Sequence, residues 1–210
     1  MGQRIYFTTK TMKFDSEPPT DAGVAQGLAA LKREGGSVLV VGAATDAHHD
    51  VCERFREGEQ SVLVDTDSPV RTDDADGAAV IDRPVRTRSA AATDAPSPTS
   101  DITSLAADVE AAMRDHGQDV GTLRVCFDSI RPFVDATDVP TLASTMSSIR
   151  ETARDTDSVV HLHLPAMAEA VPRQLHEVVD AVVEVRRGNG TTDQRWRFPG
   201  GTNTTDWVGV

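Results

Sequence analysis

The chain has 210 residues, the length of one domain and enough to bury a real core. Hydrophobic residues make up 39%, charged residues 26% and aromatic residues only 4%, so the core must be built from Val, Leu, Ile and Ala. A net charge of −12 excludes a basic footprint for a nucleic-acid backbone.

No run of about 18 apolar residues offers a membrane span. The opening MGQRIYFTTK carries neither an apolar stretch nor a cleavage site, so a cytoplasmic location is expected. The charges are unevenly chosen: 23 Asp stand against 10 Glu, and 18 Arg against 3 Lys. Short carboxylates with Arg in place of Lys suit a surface working where salt screens charge, as in a haloarchaeal cytoplasm. Cys52 and Cys126 make no framework and both lie in apolar patterns, which predicts buried free thiols.

In chain order, residues 1–20 read as a loosely attached N-terminal arm and residues 21–210 as a single domain. A helix is predicted over 21–34, from Val24, Leu28 and Leu31 at helical spacing, closed by Gly35-Gly36. Ser37 to Gly42 is a continuous β-branched run, the pattern of a strand buried on both faces. His49 to Glu57 places Val51, Cys52 and Phe55 on one helical face, and Ser61 to Asp65 is a second buried strand. Residues 66–100 turn to Asp, Arg, Thr, Ser and Pro, a flexible acidic loop in which only Ala78 to Ile81 could be a strand.

The second half is more regular. Ile102, Leu105, Ala106, Val109 and Met113 mark a helix with Asp101 as its expected N-cap. Leu123 to Phe127 is a third strand, and Asp138 caps a helix whose inner face runs Val139, Leu142, Met146, Ile149, Ala153. Val159 to Leu164 is a fourth strand, Pro172 to Val179 a short helix, and Ala181 to Val185 a fifth strand. Gln194 to Phe198 and Asp206 to Val210 follow as edge strands, with Trp196 and Trp207 expected to cover the sheet edge. Alternating strands and helices predict an α/β three-layer sandwich with a mostly parallel sheet and C-terminal antiparallel edge strands.

Ligands of open parallel sheets bind beyond the carboxyl ends of the strands. A phosphate-gripping loop after the first strand needs G-x-x-x-x-G-K-[ST]: backbone N–H groups wrap the phosphate, Lys meets its charge, and the hydroxyl holds Mg²⁺. Aligned on Gly42, this chain puts Ala47 at the second glycine, His48 at the lysine and His49 at the hydroxyl, with Asp46 adding a negative charge. Asp65-Thr66-Asp67 is read as exposed acidic decoration rather than as a Mg²⁺ carboxylate pair. Ser129 lacks the nucleophile elbow that a Ser-His-Asp triad would need.

LRVCFDS, ending at Asp128-Ser129, has the form of a Walker B strand. With the run that follows, FDSIRPFVDATDVPTLASTMSSIRETARDTDSVVHLHLPAMAEAVPRQLHEVVDAVVEVR, it resembles the second half of KaiC-like proteins of the RecA superfamily. The likeness is closest to a haloarchaeal group whose P-loop is often degenerate, and it spans about residues 21–210. It implies that Asp128 matches the acid that orients Mg²⁺ and water, and Gly42 the first P-loop glycine. ATP and Mg²⁺ are the cofactors such a fold brings. With His48 and His49 where Lys and the hydroxyl belong, the residues Gly42, Ala47, His48, His49 and Asp128 read as a vestigial nucleotide site needing no cofactor.

His161 and His163 are two apart on a strand and share one face. In the resembling fold this strand lies between the P-loop and Walker B strands. The pair offers metal ligands of the zinc class, with His48, His49 and Asp128 nearby. Alternatively, His161 is a core residue and His163 occupies the sensor position. The function expected is a non-hydrolysing binding or regulatory module that engages a protein partner or a second copy. An ATPase with an atypical loop and a metal-binding protein are the alternatives.

Overall fold

The computed structural model describes residues 22–57, 60–66, 79–82, 98–116, 123–198 and 204–210. The expected N-terminal arm, most of the 66–100 loop, Asp67 and the Pro199-Gly200-Gly201 turn lie outside them.

Helix α1 (Ala22–Glu34) leads into β1 (Gly36–Val41), followed by α2 (Thr45–Arg56), β2 (Ser61–Asp65), β3 (Ala79–Asp82) and α3 (Pro98–His116). Then come β4 (Arg124–Phe127), α4 (Arg131–Ala136), α5 (Val139–Asp155), β5 (Val159–Leu164) and a 3₁₀ turn at Ala168–Ala170. Helix α6 (Arg173–Glu177), β6 (Ala181–Gly188), β7 (Thr191–Arg197) and β8 (Val208–Gly209) complete the order.

The strands form one sheet in the order β3-β2-β4-β5-β1-β6-β7-β8. β1 through β6 pair in parallel, and β7 and β8 add antiparallel strands at one edge. This is the three-layer α/β sandwich with a mostly parallel sheet. β5 lies between β1 and β4, the position expected for the histidine-bearing strand.

Alternation along each strand sorts the core into two layers. On one face Leu39, Val41, Val125, Phe127, Leu162 and Leu164 pack against α3, α4, α5 and α6. On the other, Val38, Val40, Cys126, Val183 and Val185 meet Val24 and Leu31 of α1 and Val51, Cys52 and Phe55 of α2. Each large side chain so buried contributes about 1.5–3 kcal/mol of transfer free energy.

One local signal places a helix start as expected. Asp138 Oδ1 accepts from Thr141 N–H at 2.9 Å, so α5 begins where the cap predicts. Helix α3 starts at Pro98, which leaves Asp101 inside the helix rather than at its cap. Proline fits a first helical turn because that position has no intrahelical N–H partner to lose. Helix α2 starts four residues before the expected His49, and the short α4 was not signalled by any apolar period.

Two further expectations are corrected. Asp65 is buried at 4% exposure, the last residue of a strand covered on both faces, not surface decoration. Cys52 and Cys126 are not free thiols. They are joined by a disulfide between α2 and β4, with Cα atoms 6.3 Å apart and a sequence separation of 74. The apolar periods placed each cysteine on an inner face, and the packing of α2 over β4 brings those faces together.

Gly42 closes β1 at φ +151°, where a Cβ would stand 2.2 Å from the Val185 carbonyl oxygen of β6. Its N–H donates to the Ala166 carbonyl at 2.9 Å. The glycine is demanded by strand packing as well as by backbone geometry. Gly42→Ala is expected to lower unfolding stability by roughly 2–4 kcal/mol. A urea melt in molar KCl checks this, and a curve coincident with the parent's would contradict it.

Candidate functional site

The turn between β1 and α2 is short: Gly42, Ala43 and Ala44 precede the first helical residue, Thr45. Ala44 at the N-cap offers no side-chain hydrogen bond. Asp46 sits in the first turn, where its carboxylate is favoured by the helix dipole, and its Oδ1 accepts from Ala47 N–H at 3.0 Å.

Arg187 of β6 reaches this helix start. It bonds Asp46 at 2.6 Å and Asp50 at 2.9 Å, and the Thr192 hydroxyl donates to Asp50 at 2.6 Å. The Arg187 hydrogen bond holds the Asp46 carboxyl below its ordinary range. The anionic end of the turn is therefore occupied by the chain's own carboxylates.

The residues aligned with a phosphate loop divide between inside and outside. Ala47 is fully buried and His49 is exposed. His48 is 3% exposed and turns inward. Its Nε2 lies 2.9 Å from the Gly42 carbonyl oxygen, and its Nδ1 lies 3.1 Å from His163 Nδ1.

A carbonyl only accepts, so His48 Nε2 carries the proton. Its Nδ1 then presents a lone pair, and His163 Nδ1–H must donate to it. That leaves the lone pair of His163 on Nε2, which stands 3.5 Å from Cys126 Sγ. Burial pushes the His48 pKa down, against an opposing effect of the Gly42 hydrogen bond. Burial, and then the neighbouring imidazoles of His48, His161 and His49, push His163 well down. Both rings are thus neutral at ordinary pH, which this tautomer chain requires.

His161 does not join the relay. Its ring stacks on Phe55 with centroids 3.4 Å apart, and its buried Nδ1 has no hydrogen-bond partner among the described residues. Burial, then the nearby Arg124 guanidinium, pushes its pKa well down. The guanidinium carbon of Arg124 also lies 5.0 Å from the Phe55 ring centroid. The two strand histidines are on one face as predicted, but their rings are 5.9 Å apart and face different partners.

Asp128 stands at the end of β4, one strand away from β1 across β5. Its Oδ1 accepts from Thr66 N–H at 2.9 Å, the Thr66 hydroxyl at 2.7 Å and Ser129 N–H at 2.6 Å. The carboxylate ties the ends of β2 and β4 together, so its role as a turn cap is realised in the structure.

On the opposite face a cavity of about 670 Å³ is lined by Arg173, Arg195, Glu177 and Glu184 among others. Arg195 pairs with Glu184 at 2.5 Å and Arg173 with Glu177 at 2.8 Å. These cations face the chain's own acids. Trp196 is buried, and Trp207 lies under Arg186 and Arg195 at 3.9 and 4.5 Å, so both tryptophans serve the sheet edge.

Reasoning from spacing found His48 and His163 but missed Cys52 and Cys126 as their neighbours. Cys52 Sγ, Cys126 Sγ and one ring nitrogen of His163 all lie within 4.8 Å of one another, and all three residues are buried. The register that pairs Cys126 with His161 on adjacent strands puts His163 one diagonal step away, a placement the local sequence pattern does not carry.

A model described as a family of unknown function (DUF7504) matches residues 35–185. The chain belongs to that family. The DUF7504 match runs from the glycine before β1 into β6, and so takes in Gly42, His48, both cysteines, Asp128, His161 and His163. It leaves out α1 and the antiparallel strands β7 and β8. A comparison with curated proteins finds no match. No helix among the described residues is long and apolar enough to cross a membrane.

The two strand histidines should respond unequally to substitution. His161→Phe keeps the stack on Phe55 and removes an unpartnered nitrogen, so stability at pH 7.5 should fall by no more than about 1 kcal/mol. His163→Phe strands the His48 lone pair and should cost at least about 2 kcal/mol. Urea unfolding of the disulfide form decides it, and the reverse order would refute the relay.

Proposed function

We propose that this chain is a RecA/KaiC-like domain that does not hydrolyse nucleotide and serves as a binding or regulatory module in the cytoplasm, engaging a protein partner or a second copy. The observation that carries this reading is the inward turn of His48. The side chain aligned with the lysine position of a phosphate loop is buried and bonded to the Gly42 carbonyl and to His163.

Three further features support it. Asp46 and Asp50 hold negative charge at the helix start, where a polyphosphate would need donors. Oδ1 of Asp128 accepts three hydrogen bonds from the Thr66 and Ser129 turn. The strand order, with β5 between β1 and β4, is the arrangement expected of the resembling fold. A retained sheet with a self-filled turn fits a domain kept for its surface.

Titration calorimetry with Mg-ATP in molar KCl should give no saturable heat, and phosphate release should stay at background. Asp128→Ala should leave that background unchanged while costing about 1–3 kcal/mol of stability, because Thr66 and Ser129 lose their acceptor. Tight Mg-ATP binding with turnover abolished by Asp128→Ala would overturn the proposal.

A further inference from the structure

Cys52, Cys126 and His163 come from three different elements, α2, β4 and β5, and converge in the buried layer between helix and sheet. Their chemistry is that of a zinc ligand set, two thiols and an imidazole. The nitrogen-to-sulfur distance agrees with that chemistry, and the two sulfurs, bonded to each other in the disulfide, must separate on reduction to share one metal ion. A nitrogen and a sulfur bound to one tetrahedral zinc, at about 2.05 and 2.3 Å, stand about 3.6 Å apart. His163 Nε2 and Cys126 Sγ are 3.5 Å apart.

The relay supplies an independent observation. The hydrogen bond that His48 Nε2–H donates to the Gly42 carbonyl fixes the His48 tautomer, and His48 in turn fixes His163, so that the His163 Nε2 lone pair faces sulfur. Metal-binding histidines typically donate their other N–H to an acceptor that sets tautomer and ring orientation. Here His48 Nδ1 is that acceptor. A disulfide has no proton to offer the Nε2 lone pair, so the oxidised form leaves this buried acceptor facing an atom that cannot donate to it.

We propose that in its dithiol form the protein binds a zinc-class divalent cation through Cys52 Sγ, Cys126 Sγ and His163 Nε2, and that disulfide formation and metal binding exclude one another. The site does not depend on whether nucleotide binds at the β1 turn. His161, stacked on Phe55, is not a ligand, and His48 is a positioning residue.

The steps balance. A dithiol reductant passes two electrons and two protons to the Cys52–Cys126 bond, giving two thiols and the reductant's own disulfide. Metal binding then releases the two thiol protons to solvent, and the lone pair of neutral His163 completes the protein ligands. Two thiolates and a divalent cation sum to zero charge, which suits a buried site. Soft sulfur ligands select against Mg²⁺ and Ca²⁺, and a fourth position is left for water.

The test uses the full, untagged chain in molar KCl without oxygen, with Co²⁺ as the probe. After reduction with a phosphine, one equivalent of Co²⁺ should produce a sulfur-to-cobalt charge-transfer band, and Zn²⁺ should abolish it by displacement. The oxidised parent, needing no substitution, should show no such band. His48→Ala should weaken Co²⁺ binding about 10–100-fold by releasing the His163 tautomer. Three results would overturn the proposal. They are a reduced protein that binds Co²⁺ without the band, a band equally strong in the oxidised protein, or a band that survives in the Cys52→Ser/Cys126→Ser double variant.

Discussion

The hydrogen-bond relay from the Gly42 carbonyl through His48 to His163 joins the turn after β1, the first turns of α2 and the central strand β5. Two neutral imidazoles are buried here, and each buried ring nitrogen that gains a partner avoids a desolvation cost. The single acceptor that cannot change its role, a backbone carbonyl, fixes the direction of every proton in the chain. Because His48 is committed inward, the helix start is left to Asp46 and Asp50, which Arg187 then holds to the β6–β7 edge. The far end of the same relay aims a nitrogen lone pair at the cysteine pair. One constraint therefore orders both the turn after β1 and the layer that holds the cysteine pair.

The sheet makes this possible by burying both faces. Along β5, Val160, Leu162 and Leu164 enter the layer under α5, while His161 and His163 enter the layer under α2. Cys126 on β4 and Cys52 on α2 occupy that second layer with them. Polar chemistry is thus concentrated on the side covered by α1 and α2, and the α3–α6 side is an aliphatic core around Phe127, Phe133 and Met146.

Much of this was legible in the residues. Short, mostly apolar runs gave β1 and β2, because strands buried on both faces need no polar alternation. The Asp138 cap and the 3.6-residue period gave α5. What period cannot supply is which inner faces meet. Cys52 and Cys126 each follow a correct local pattern, yet their partnership arises only when α2 packs over β4, 74 residues on. The same limit separates the histidines: spacing put His161 and His163 on one face, while Phe55 and His48, from another layer, decided that one stacks and the other relays. Asp101 and Asp65 show a different gap, since a capping or surface residue type says nothing about neighbours that extend the helix or cover the strand.

The most direct measurement is of imidazole protonation itself. Two-bond ¹⁵N–¹H spectra of histidine-labelled protein at pH 7.5 report which ring nitrogen carries each proton. The account predicts the Nε2–H tautomer for His48 and the Nδ1–H tautomer for His163. An Nε2–H tautomer or an imidazolium at His163 would contradict it.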